Sequence, residues 1–221
     1  MISALVETRM ALHAVAEQIL AGDLHRHTGR IGLREVEGGF GQPEYLVGGE
    51  RRRLRVDGAE LVVLRGDVET WYPLRTLADG ARDADTVLGG PAGAYIAETS
   101  LKPDAPLRID PVAARDLHQV FTTSTVALHR FRRHHRDRYP TIVQLWPEHF
   151  DLAFSMSEVN FGVSPGDGAH DEPYGYVGPW VPRSGAWWNE PWGRSIPWAE
   201  LANPDAAVAF FERGLEESTA R

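Results

Sequence analysis

One segment constrains this chain more than any other. Asp110-Pro111 supplies a helix cap and a first-turn proline. Behind it Leu117, Val120, Phe121, Ser124, Leu128, Phe131 and His135 form one helical stripe, which ends before Tyr139-Pro140. A helix of this length must lay its apolar stripe on another layer, and the sequence on both sides of it is patterned as strands. The expected class is therefore α+β: a largely antiparallel sheet packed with three main helices. At 221 residues the chain reads as a single α+β domain over 1–221, or as two lobes over 1–108 and 109–221.

The first helix is expected from Ala4 to Ala21, with Ser3 as its cap and Gly22 as its end. Alternation at Ile31 and Leu33 then signals strand. Leu54 and Val56 lead through Asp57-Gly58 into Leu61–Leu64, a hairpin in which Asp-Gly accepts the positive φ angles of a tight turn. Trp71 to Ala78 reads as a strand end and a short helix. From Asp79 to Leu107 the pattern lapses, and a connection that long is either functional or partly disordered. After the central helix, strands are expected at Thr141–Trp146, Phe150–Phe154, Val159–Val163 and Tyr174–Trp180. A last helix opens at Asn203-Pro204, with Val208, Phe211 and Leu215 on one face. Leu12-His13-Ala14-Val15 with Leu24-His25-Arg26 is echoed by Leu117-His118-Gln119-Val120 with Leu128-His129-Arg130, the mark expected of a weak internal duplication.

Composition closes off several functions. The chain has no cysteine, which removes disulfides, thiolate catalysis, Fe–S clusters and Cys-based zinc sites. Its 31 acidic against 23 basic residues oppose binding to nucleic acid. No apolar run approaches the ~20 residues of a membrane span. Met1–Leu20 contains Glu7, Arg9 and Glu17, so no signal peptide is expected and the localisation read from sequence is cytoplasmic. The basic set is 22 Arg and one Lys, the skew of a GC-rich bacterial coding bias. Gly89-Gly90-Pro91-Ala92-Gly93 lacks the Lys-Ser/Thr of a phosphate loop, so there is no nucleotide motif, and no Gly-x-Ser-x-Gly elbow occurs.

Leu145–Phe154 (LWPEHFDLAF) and Ser195–Glu212, together with Leu12-His13 and Gly29–Leu33, resemble the bacterial domain-of-unknown-function family 5996. The likeness runs through Trp146 with Phe150–Ala153, and through Ile196-Pro197-Trp198 with Ala206–Phe211. It adds weight to His13 and Asp151 and implies no chemistry.

The residues that bear chemistry cluster late in the chain. His149 and Asp151, two apart on an expected strand, would project from one face. Asp167, His170, Asp171 and Glu172 crowd a loop bracketed by Gly and Pro. Three readings stand: a divalent metal on His149, Asp151 and His170, which also echoes the Pro-to-His spacing of the second cupin motif; a metal-free acid–base pair, which His13 would join; and a solvated acidic turn. His118 and His129 lie about 16 Å apart on one helix and share no ion. Trp146, Asn160, Tyr174, Trp180 and Trp187 are the candidate substrate-binding residues. The Trp-rich stretch either lines a pocket for an aromatic ligand or fills the space between sheet and last helix. The expectation is an enzyme acting on a small organic, and by the Trp-rich stretch aromatic, substrate. The alternative is a non-catalytic module that binds a ligand or a protein through its tryptophans.

Overall fold

The computed structural model describes residues 3–219. It is α+β, with two antiparallel sheets. The chain divides into two compact units, 1–118 with 145–150 and 119–144 with 151–221. The first break therefore falls inside the central helix, and the short 145–150 segment returns to the first unit.

The first unit opens with α1 (Ala4–Val15), capped by the Ser3 side chain, which accepts from the Val6 N–H. The helix does not stop at Gly22. It widens into a π turn over Ala16–Ala21 and resumes as α2 (Gly22–Thr28), which ends at Gly29 with φ 71°. Gly22 serves packing: a Cβ there would stand 1.9 Å from the Gly89 carbonyl oxygen. The sheet comprises β1 (Arg34–Val36), β2 (Gly39–Gly41), β3 (Tyr45–Val47), β4 (Glu50–Asp57), β5 (Glu60–Arg65) and β6 (Val68–Pro73). Its order is β1-β2-β4-β5-β6, with β3 also on β4. The expected hairpin pairs Val56 with Leu61 and Asp57 with Glu60 around Gly58 at φ 57°. Leu12, Val15, Ile19, Leu20 and Leu24 join Leu54, Val56, Leu61 and Val63 in the core. Burying each such side chain stabilises the fold by about 1.5–3 kcal/mol. α3 (Leu77–Asp83) follows, with Gly80 against Ile19.

The 24-residue α4 (Pro111–His134) forms as expected, with Leu117, Val120, Phe121, Ser124, Leu128 and Phe131 buried. It ends before the expected stop, giving way to a 3-10 turn at Arg136–Arg138. The expected strand at Thr141–Trp146 shortens to β7 (Gln144–Trp146); Thr141 bonds Ser155 through its N–H and hydroxyl, and its carbonyl accepts from Arg132 Nε.

In the second unit the strand order is β11-β10-β9-β8: β8 (Asp151–Met156), β9 (Val159–Ser164), β10 (Tyr174–Pro179) and β11 (Arg194–Pro197). β11 was not expected, since its four residues show no alternation. Ser157 and Glu158 turn the β8–β9 hairpin with φ near 52° and 61°, a conformation that glycine usually supplies. The short α5 (Trp198–Leu201) precedes α6 (Pro204–Thr219). Phe131 lies 4.9 Å from Phe161 and 5.7 Å from Phe211, ring centre to ring centre, at the middle of this unit's core. Gly214 lets α6 approach Val177. Among the described residues no helix is long and apolar enough to cross a membrane.

Candidate functional site

The first unit gathers six titratable side chains from four places. α1 brings His13 and the π turn Glu17. The long connection brings Tyr95 and Glu98, and the turn at 147–150 brings Glu148 and His149.

Glu17 is fully buried. One carboxylate oxygen accepts from the Glu98 N–H at 3.0 Å; the other accepts from the Thr99 N–H at 2.9 Å and from the Thr99 hydroxyl. Gln18 adds bonds from its amide to the Thr99 carbonyl and hydroxyl oxygens, and its own carbonyl takes the Gly89 N–H. The widened turn is therefore the fastening point of the segment that looked unstructured in sequence. π turns of this kind recur at functional sites.

His13 Nε2 lies 2.9 Å from the Pro147 carbonyl oxygen. A carbonyl only accepts, so Nε2 carries the proton and Nδ1 keeps its lone pair. The ring stacks on Phe150 at 5.4 Å and 8°. Burial holds its pKa below the ordinary 6.5, against the pull of Glu17 and Glu98, so the imidazole is neutral at pH 7. The Glu148 carboxyl moves the other way. Burial raises its pKa, Glu98 and Glu17 add to the rise, and His149 opposes it. The Tyr95 phenol is pushed up by burial and by Glu17, Glu148 and Glu98. Tyr95 Oη, beside Glu17, and Glu148 Oε2 are buried without completing a hydrogen bond of good geometry. At the rim His149 Nδ1 stands 3.3 Å from Glu98 Oε1, both side chains more than half exposed.

Charge distinguishes this cluster from the rest of the unit. Several other carboxylates of the unit meet guanidinium groups: Asp23 with Arg52, Glu44 with Arg51, Glu69 with Arg53, Asp57 with Arg55. Here the charges acting most strongly on His13, Tyr95 and Glu148 come from glutamates and one imidazole, with no guanidinium among them.

The second unit holds a different polar row. Tyr176 donates its hydroxyl proton to Asp151, which is 4% exposed. Tyr174, next on the same face, donates to Asp167 Oδ2 at 2.6 Å. Asp167 Oδ1 accepts the N–H groups of Ala169 and His170, closing the acidic turn on itself. The His170 ring lies 4.6 Å from that of Tyr174, tilted by 41°, and stands 3.2 Å from Glu190, which also accepts from the Ser195 hydroxyl. These bonds tie loop to strand, and Trp192 packs on Tyr174 and Tyr176.

The expected His149–Asp151 face is not formed as one strand. β8 begins at Asp151, and Phe150 turns the chain with φ 53°. His149 faces Glu98 in the first unit, whereas Asp151 meets Tyr176 in the second. Among the described residues no group of three or more His, Asp or Glu side chains is placed to hold a metal ion. Asp151, Tyr174 and His170 do fall within one network, and His13 and His149 within the other. Trp146 is half-buried in the turn's approach. Asn160 accepts from Ser155 and from the exposed Trp180 indole, while Trp187 stacks on Phe210 with Arg194 over its ring. The first unit's sheet also carries an open groove of about 600 Å³ among Glu37, Arg53, Arg55, Asp57, Glu69 and Trp71. Its arginines are already paired with its carboxylates.

Sequence reasoning did not reach Glu17, Tyr95, Glu98 or Glu148. The signal available was the length of the 79–107 connection, which pointed to function without naming a residue.

Comparison with models of protein families, with curated proteins and with solved structures finds no match to this chain.

Proposed function

We propose that this protein is an enzyme that transfers protons on a small organic molecule at the His13–Glu17–Tyr95–Glu98–Glu148–His149 cluster. The observation that carries the reading is Glu148. Its carboxyl is half-buried, its pKa is raised above the ordinary carboxylate value by burial and by two neighbouring glutamates, and one of its oxygens has no partner. A carboxyl whose charged form is disfavoured by its surroundings and which has an oxygen free to engage a ligand is a candidate for general acid–base catalysis. His13 is displaced in the opposite sense, so acid and base are set apart by their surroundings. A surplus of carboxylates without guanidinium partners favours a substrate that carries, or gains in the transition state, positive charge.

A bacterial, cytoplasmic setting belongs to the same proposal, with the arginine-for-lysine skew in support of the first. Membership of family 5996 is likewise proposed, on the motifs around Trp146 and Phe150–Ala153. A second reading, a binding module, has one observation in its favour: Trp180 and Trp192 are 62% and 38% exposed.

The test is binding of a panel of small cationic, neutral and anionic compounds, followed by thermal shift and NMR, in the wild type and in Glu148→Gln. Cationic compounds should bind and perturb His13 and Glu148 resonances, with affinity falling as pH drops through the Glu148 titration. Preference for anions, or an ordinary exposed-carboxylate titration of Glu148, would remove the proposal. Compounds that perturb only Trp180 and Trp192 would favour the binding module.

A further inference from the structure

Glu148 Oε2, which has no hydrogen-bond partner, and Tyr95 Oη, which faces the Glu17 carboxylate, have essentially no accessible surface. A substrate reaches them only if something moves. Of the segments that contribute to the cluster, α1 and the π turn are continuous helix with a buried apolar face, and the 147–150 turn is tied by His13 and by Phe150 in the core. The remaining one is the stretch from Pro91 to Thr99, which carries Tyr95 and Glu98. It has neither helix nor strand. Its upstream end is held where the Gly89 N–H meets the Gln18 carbonyl, and its downstream end by the Glu17 carboxylate and the Gln18 amide. Between these points, among the described residues, its backbone hydrogen-bonds to backbone only within itself, from the Ala94 N–H to the Pro91 carbonyl. Gly89 and Gly93 take φ 139° and 83°, values that only glycine adopts without strain, and Ile96 is 91% exposed on the outer side.

We propose that Pro91–Thr99 is a lid over the acid–base cluster, held shut by the Glu17 carboxylate. This rests on the reading of that cluster as the site. Opening breaks the bonds from the Glu98 and Thr99 N–H groups and the Thr99 hydroxyl, and withdraws Tyr95 and Glu98 from Glu148. Closing restores them and excludes water. Glu17 is thus a positioning residue: it acts through the segment it grips. Glu17→Gln keeps the size of the side chain but replaces one accepting oxygen by an amide nitrogen that cannot accept, so one side of the latch is lost.

Amide hydrogen exchange on the full chain, wild type against Glu17→Gln, tests the latch. Exchange from Ala92 to Thr99 should rise about 10- to 100-fold, while amides of β5 and of α4 keep their protection. Because the chain has no cysteine, access is read separately by alkylation of Glu148→Cys with iodoacetamide; measured across pH and referred to the thiolate, since loss of the Glu17 charge also favours that form, the rate should accelerate by a similar factor when Glu17→Gln is added. Unchanged exchange at Glu98 and Thr99 overturns the proposal. So does a uniform rise through the whole first unit, which would make Glu17 a general prop of the fold, and so does alkylation indifferent to Glu17. Neither readout depends on proton transfer. A lid that opens in a protein whose Glu148 titrates normally would therefore refute the proposed chemistry and leave the lid standing.

Discussion

Arg52 donates to Asp23 at 2.8 Å, and the carboxylate it meets is entirely out of solvent. Tyr45, Gln42 and Thr86 donate to the same two oxygens. Burial alone would raise the Asp23 pKa, but the bonds from Arg52, Tyr45, Gln42 and Thr86 outweigh it and hold the carboxyl below its usual value. α2, β3, β4 and the start of the long connection are thus joined at one ion.

Removing the cation should be costly. Arg52→Met leaves Asp23 buried and uncompensated, and a loss of about 3–5 kcal/mol is expected in urea unfolding. Asp23 also sets a pH dependence. Its folded pKa lies below its unfolded value, so its contribution is present above about pH 4 and is lost as pH falls through the folded value. Stability curves of wild type and Asp23→Asn should converge at the acid end; parallel curves would count against the assignment.

His13 gives a second window. The buried ring binds its proton less readily than in the unfolded chain, so the unfolded state takes up protons first as pH falls below about 6.5. Stability should decline from there down to the lowered folded pKa. His13→Gln should flatten that part of the curve, as read from urea midpoints between pH 7 and pH 5. An unaltered slope would show that the ring is not buried neutral.

Gly22→Ala sets two principles against each other. Alanine is the better helix former by about 1 kcal/mol. Yet its Cβ would press on the Gly89 carbonyl oxygen at 1.9 Å, so backbone must move. Net destabilisation of about 1–3 kcal/mol is expected, with faster proteolysis near Gly89. A variant more stable than wild type would mean that the two segments do not touch.

Tyr176→Phe removes one hydroxyl donor from buried Asp151. A loss of about 1–3 kcal/mol is expected, and the double variant with Asp151→Asn should lose less than the sum of the two single changes. Additive losses would show that the two side chains do not act on each other.

Much of the fold was readable from local pattern. The stripe from Leu117 to Phe131 specified α4 because periodic apolar residues have one way to be buried together. Asp57-Gly58 specified a hairpin because its turn geometry is intrinsic to those residues. Val208, Phe211 and Leu215 marked α6 for the same reason as α4. Boundaries set by tertiary contact were not readable. Gly22 looks like a helix end until Gly89 is placed against it, and Ser157-Glu158 offers no glycine to announce its turn.

The site divides along the same line. His13 and His149 stand out as lone histidines in any reading of the chain, but their partners are remote in sequence: Pro147 for the first, Glu98 for the second. The sequence alone determined the strongly patterned elements, the first helix, the Asp57-Gly58 hairpin, α4 and α6, because those choices depend on neighbours three or four residues away, or two; β11, which has no such pattern, it did not. Only the tertiary structure decided that the π turn would grip the 91–99 segment, and that Glu17, Tyr95, Glu98 and Glu148 would meet. A titrating site depends on burial and on charges brought together across more than a hundred residues of chain, and no local pattern records either.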